Sequence, residues 1–157
     1  MKKGLILGLI IVLLCAANAM AQTAQIAVTV TITQSISVSV TPGSYAFGGT
    51  DSGQTLSTAA GAFVATNDGN GAENLAITVG DSANWTASTA AGADAFAMNA
   101  YIGATWALID PASGVSLDAG LAPAGTQSFG LQLLVPTSTS NAGVEQTIPV
   151  TVTASAS

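Results

Sequence analysis

The chain has 157 residues, is 49% hydrophobic and only 6% charged, and carries a formal net charge of −6. Its two basic residues, Lys2 and Lys3, and its one cysteine, Cys15, sit near the start, and there is no histidine. The rest of the chain can form no side-chain salt bridge, disulfide, thiolate nucleophile or imidazole base, and it lacks the Lys and Arg with which proteins hold nucleic acid and anionic lipid.

The first residues read as a secretory signal peptide. Lys2 and Lys3 form a positive start, Gly4 to Leu14 is apolar throughout, and Ala19-Met20-Ala21 is a small-x-small cleavage site before Gln22. The apolar run is too short to span a bilayer. Leu14 stands where a lipoprotein signal needs a small residue before Cys15. Residues 1–21 are therefore expected to be removed. The remainder is expected to be secreted to the extracellular space, the cell surface or the periplasm, with no membrane insertion.

The next segment, Gln25 to Val40, alternates strictly. Ile26, Val28, Val30, Ile32, Ile36, Val38 and Val40 fall on even positions, and nearly every odd position is Thr or Ser. A period of two marks a strand with one dry and one wet face. At about 3.4 Å per residue, Ile26 to Val40 would extend roughly 48 Å, whereas a strand of ordinary length covers about 17–20 Å. Two readings stay open. The segment bends near Gln34, the one polar even position, and serves both sheets of its own domain. Otherwise residues 22–33 are an arm that adds a strand to a neighbouring copy through Ile26, Val28, Val30 and Ile32. Residues 34–157 are read as one domain.

Further along, "TPGSYAFGGTDSG" is rich in turn residues. Phe63 to Thr66 and the alternating Leu75, Ile77 and Val79 read as two strands. They are joined by Asn67-Asp68-Gly69-Asn70-Gly71, a turn whose Gly and Asn residues tolerate positive φ. "ANWTAS" is a short strand carrying Trp85, and "DAFAMNAYIGATWALID" holds two more, with Trp106 and Leu108 sharing a face of the second. "GVSLDAGLAPAG" reads as loop. Phe129, Leu131, Leu133 and Val135 alternate along a strand that stops at Pro136, and Ile148, Val150 and Val152 mark the last. With no amphipathic helix to supply crossovers, the pattern predicts an all-β antiparallel sandwich of about eight or nine strands.

Two stretches resemble bacterial immunoglobulin-like domains of the ASH type. The first carries Phe47-Gly48, Gly53, Phe63, Asn67, Gly69, Leu75, Ile77 and Val79. The second carries Pro123, Gly125, Phe129, Leu131, Leu133, Pro136, Gly143 and Val150. The resemblance implies an immunoglobulin-like sandwich and, being carried by turn and core residues, implies no activity.

Chemistry-bearing residues are sparse. The eight acids are scattered and most sit in turn contexts such as "TDSG", "NDGN" and "IDPA", where side-chain to backbone hydrogen bonds explain them. Carboxylate catalysis needs two acids converging in one cleft, and a serine nucleophile lacks its usual base here. No enzymatic activity is expected. Calcium is the one cofactor the residues suggest: Asn67, Asp68, Asn70 and Glu73 offer hard oxygen ligands on a glycine-rich loop. The spacing is not that of an EF-hand, and the same residues suit a hairpin turn, which is the preferred reading. Most aromatic residues are in phase with apolar neighbours and read as core, with Tyr101 out of phase. The sequence thus points to a secreted structural protein that self-associates through its first strand. A module binding a surface glycan or another protein is the alternative.

Overall fold

The computed structural model describes residues 23–157, so the expected signal peptide lies outside the described residues. The chain divides at Ile32 into two units, which are described separately. In the first, residues 23–32 join no strand ladder. The side chains of Ile26, Val28, Val30 and Ile32 are exposed by 83–89%.

The second unit, Thr33–Ser157, holds ten strands and no helix among the described residues. They are β1 (Val38–Thr41), β2 (Thr55–Ser57), β3 (Phe63–Asn67), β4 (Glu73–Val79), β5 (Thr86–Ala87), β6 (Ala95–Ile102), β7 (Thr105–Leu108), β8 (Val115–Leu121), β9 (Thr126–Leu134) and β10 (Val150–Ala156). A seven-stranded sheet has the order β1-β3-β9-β6-β5, with β2 paired to β9 and β7 to β6. A three-stranded sheet has the order β10-β4-β8. Every pairing is antiparallel except the short one between β5 and β6.

The alternation in the sequence explains how the sheets form a β-sandwich. Along β4, Leu75, Ile77 and Val79 are buried while Asn74, Ala76 and Thr78 are only half-buried. The core draws Leu75, Ile77 and Leu117 from the smaller sheet and Phe63, Met98, Phe129 and Leu131 from the larger. Register sets the central contact: Phe63 lies opposite Phe129, and their rings stack with centroids 5.3 Å apart. Such a pair adds roughly 0.5–1.5 kcal/mol to the value of the buried area.

Four expectations are corrected. The opening alternation does not become one long strand: pairing begins at Val38, with Val38 opposite Asn67. The stretch read as loop contains β8, whose alternation is obscured by Asp118 and Gly120 and whose pairing with β4 is irregular around Leu75. Gly69 and Gly71 are not in the left-handed region, so the turn they belong to owes them to something other than positive φ. Trp106 is not core: it is 37% exposed and lies directly across from Tyr101, the two rings 5.1 Å apart at 67°.

Both sheets end in open edges. Among the described residues β1 pairs only with β3, and β10 only with β4.

Candidate assembly groove

The inward residues of β4 and β10 belong to neighbouring strands, yet they are covered very differently. Leu75, Ile77 and Val79 on β4 are no more than 4% exposed. Val150, Val152 and Ala154 on β10 face the same core and are only half-buried. The uncovered side opens into a cavity of about 1140 Å³. Its floor includes Met98, Leu131, Leu133 and Val135, which belong to the hydrophobic core itself. Val150 and Val152 line it from the smaller sheet.

Protein interiors pack like organic crystals, with few voids larger than a water molecule. This opening lies against core residues and leaves Val150 and Val152 half-covered, with room for a further segment of chain. It also exceeds the roughly 300–1000 Å³ of a usual small-molecule pocket.

Two irregular stretches form the rims. The first follows β1, where Pro42 has no N–H to continue the ladder. It carries Tyr45 and Phe47, whose rings meet edge-on at 5.1 Å, and Tyr45 also meets Phe63 edge-on at 6.0 Å. The second runs from Pro136 to Pro149 and is fastened at two points. Asp94, held at φ 49°, accepts hydrogen bonds from the Thr139 hydroxyl (2.7 Å), the Ser140 N–H (2.9 Å) and the Ser140 hydroxyl (2.8 Å). The Thr139 hydroxyl, followed by the Ser140 groups, holds the Asp94 carboxyl below its ordinary pKa. Trp85 donates its indole N–H to Thr139 Oγ1 at 3.1 Å, which ties the corner to the core. At the other point Gln146 Oε1 accepts from the Ser82 hydroxyl at 2.9 Å and the Asn84 N–H at 3.1 Å. Between these fastenings Ala142, Gly143, Val144 and Glu145 are exposed.

The proposed calcium ligands are brought together, but around backbone rather than around an ion site. Asn67 is fully buried at the end of β3: its Nδ2 donates to the carbonyls of Gly71 and Leu121, and its Oδ1 accepts from Gly69 N. Asn70 Oδ1 accepts from Ser35 N at 2.8 Å, and its Nδ2 donates to the Thr33 carbonyl at 3.0 Å. Glu73 is fully buried: its Oε1 accepts from Ser37 N at 2.9 Å and its Oε2 has no partner. Asp68 is exposed, and its backbone N–H donates to the Ser37 carbonyl. Among the described residues no three His, Cys, Asp or Glu side chains converge as a metal set would.

Sequence reasoning singled out Ile26, Val28, Val30 and Ile32, whose side chains are exposed, but did not locate the groove. Leu131, Leu133, Val150 and Val152 read as ordinary core, since nothing in an alternating strand says whether a neighbour is present. The chain matches no family model, and no curated protein and no solved structure matches it.

Proposed function

We propose that this is a secreted, non-enzymatic structural subunit that builds an extracellular filament, matrix or surface coat by strand addition. Ile26, Val28, Val30 and Ile32 of one copy enter the groove of the next, and the sandwich is of the immunoglobulin-like ASH kind. The observation that carries this reading is the open core beside the unpaired edge of β10.

An added strand has to satisfy two needs there. Its backbone completes the ladder on β10, and one row of its side chains fills the cavity. Residues 26–32 suit both. They match the seven-residue length of β10 and carry β-branched residues at every second position. Burying each such side chain is worth about 1.5–3 kcal/mol. The other row is Ala27, Thr29 and Thr31, which suits an outer face. Left exposed, such a segment is an aggregation hazard. Donation to a second copy removes that hazard and the open groove together. A head-to-tail contact of this kind does not close on itself, so it builds fibres.

Removing residues 22–32 tests the reading. The shortened protein is expected to remain folded by circular dichroism and to sediment as a monomer under conditions where the full secreted chain forms polymer. A synthetic peptide of residues 23–33 should bind it and raise its Tm. A shortened protein that unfolds, or that still polymerises, overturns the proposal.

The Tyr101–Trp106 pair on the outer face of the larger sheet supports a second reading, a module that binds a surface glycan or another protein. The two readings part on whether the purified chain associates without any ligand.

A further inference from the structure

The residues that sequence reasoning gathered as a turn hold the root of the arm. Thr33, Ser35 and Ser37 offer alternate backbone groups along one edge, and the Thr33 carbonyl and both backbone groups of Ser35 and Ser37 are taken by the segment from Asp68 to Glu73. Asn70 Nδ2 donates to the Thr33 carbonyl, and Ser35 N donates to Asn70 Oδ1. Asn70 N donates to the Ser35 carbonyl, Ser37 N to Glu73 Oε1, and Asp68 N to the Ser37 carbonyl. The Asn70 amide stands in for a peptide group, with an acceptor and a donor spaced as a strand neighbour would present them. Gln34 adds a bond from its Nε2 to the Ala72 carbonyl at 3.2 Å.

Close approach explains the two glycines. A methyl group on Gly69 would overlap Glu73 Oε1 and the Ser35 carbonyl, and one on Gly71 would overlap the Gln34 side chain. Residues 33–37 are thus pinned in extended form leading into β1, over a surface cleared for them.

The pinning decides between two destinations for the arm. Val38 lies opposite Asn67, and Ala156 lies opposite Glu73, so the pinned root sits at one end of both sheets. The groove is lined by Val40, Ile148, Val150 and Val152 and so lies toward the other end. A chain filling its own groove with residues 26–32 has to reverse direction between Ile32 and Val38. The hydrogen bonds just described oppose that reversal. We infer that Asn70, Glu73 and Gly69 form a clamp that commits the arm to a second copy of the chain rather than to its own groove. This inference rests on the strand-addition reading and adds to it the device that selects the partner.

The test compares the full secreted chain with Asn70→Ala, which deletes two of the bonds on an exposed residue. Loss of two hydrogen bonds shifts the balance between the destinations by roughly tenfold or more. Asn70→Ala is expected to lower the polymer fraction by about that factor at equal concentration. Its monomer should refuse a fluorescent peptide of residues 23–33, because its own arm fills the groove. If Asn70→Ala proves unfolded by circular dichroism, Asn70→Asp, which keeps the acceptor for Ser35 N and loses the donor, is read by the same criteria. Polymer within twofold of the parent overturns the clamp and leaves strand addition standing. So does a variant monomer that takes up the peptide, since its groove is then empty. Polymer from the protein lacking residues 22–32 overturns strand addition itself.

Discussion

Asp94 shows how much one side chain can hold in a chain with no basic side chain after Lys3. It takes a backbone conformation that non-glycine residues rarely adopt, and three hydrogen bonds from Thr139 and Ser140 converge on its carboxylate. Those bonds favour the ionised form, which is why the carboxyl is held below its ordinary pKa. A carboxyl lowered in the folded state stabilises it above the unfolded value and loses that contribution as pH falls through the folded one. The rim from Pro136 to Pro149 should therefore loosen only below about pH 4. Trp85 reports it, because its indole shares the Thr139 hydroxyl with Asp94. In a Trp106→Phe background the remaining Trp85 emission should change on acidification below about pH 4, and Asp94→Asn should remove most of that change. An identical acid response in both proteins would show that Asp94 does not hold the rim. Glu73 is held by a single hydrogen bond. It is fully buried with one oxygen unpartnered, a costly arrangement that is intelligible here only through the bond its other oxygen accepts from Ser37.

At the scale of elements, legibility followed the size of the buried row. Strands β4 and β9 carry large inward residues at every second position, whereas β3 and β6 are recognisable from Phe63, Phe96 and Met98 although their buried rows also take Ala65, Asn67 and Ala100. Strand β2 has three residues and β5 has two, too few to show a period. Strand β8 is interrupted by Asp118 and Gly120 on its way past β4. The arm stood out because its alternation outruns any ordinary strand, yet the point where pairing starts was hidden. That point is set by Asn67 and Asn70 on another part of the chain, and the same apolar period runs on both sides of it. Gly69 and Gly71 were misread for the same reason: the approach of Gln34 and Ser35 is tertiary, and a sequence shows only a glycine. The arm itself yields a sharp expectation. In the proposed docking, Val30→Asp puts a charge against the apolar floor formed by Met98, Leu131, Leu133 and Val135, at a cost of several kcal/mol unless the carboxylate picks up a proton. Thr31→Asp adds the same charge to the outer row. Sedimentation should show polymer lost in the first variant and kept in the second, and equal losses would mean that the two rows are not distinguished by burial.

After the expected signal peptide the chain carries side-chain charge of one sign. All eight acids lie after the expected signal peptide, with no basic side chain among them to pair with. Asp51 and Glu145 stand on the rims of the groove, while the arm from Gln22 to Thr33 has no charged side chain. Docking as proposed would therefore draw on burial and backbone bonding, with no electrostatic steering to speed it. Each addition would bring two negative bodies together, and the repulsion would oppose association. Two changes relieve it in different ways. Lowering the pH toward about 4 protonates part of the acids, and raising salt to about 1 M shortens the screening length to roughly 3 Å. Both should speed polymerisation of the secreted chain, and salt should matter less at low pH because less charge remains to screen. Protonation at pH 4 leaves the arm untouched, so the protein lacking residues 22–32 should show no comparable polymer under either condition. Light scattering across a grid of pH and salt measures both effects. A rate that falls with salt at neutral pH would point to an attraction between unlike charges, for which this composition has no source, and would sink the account of burial working against repulsion.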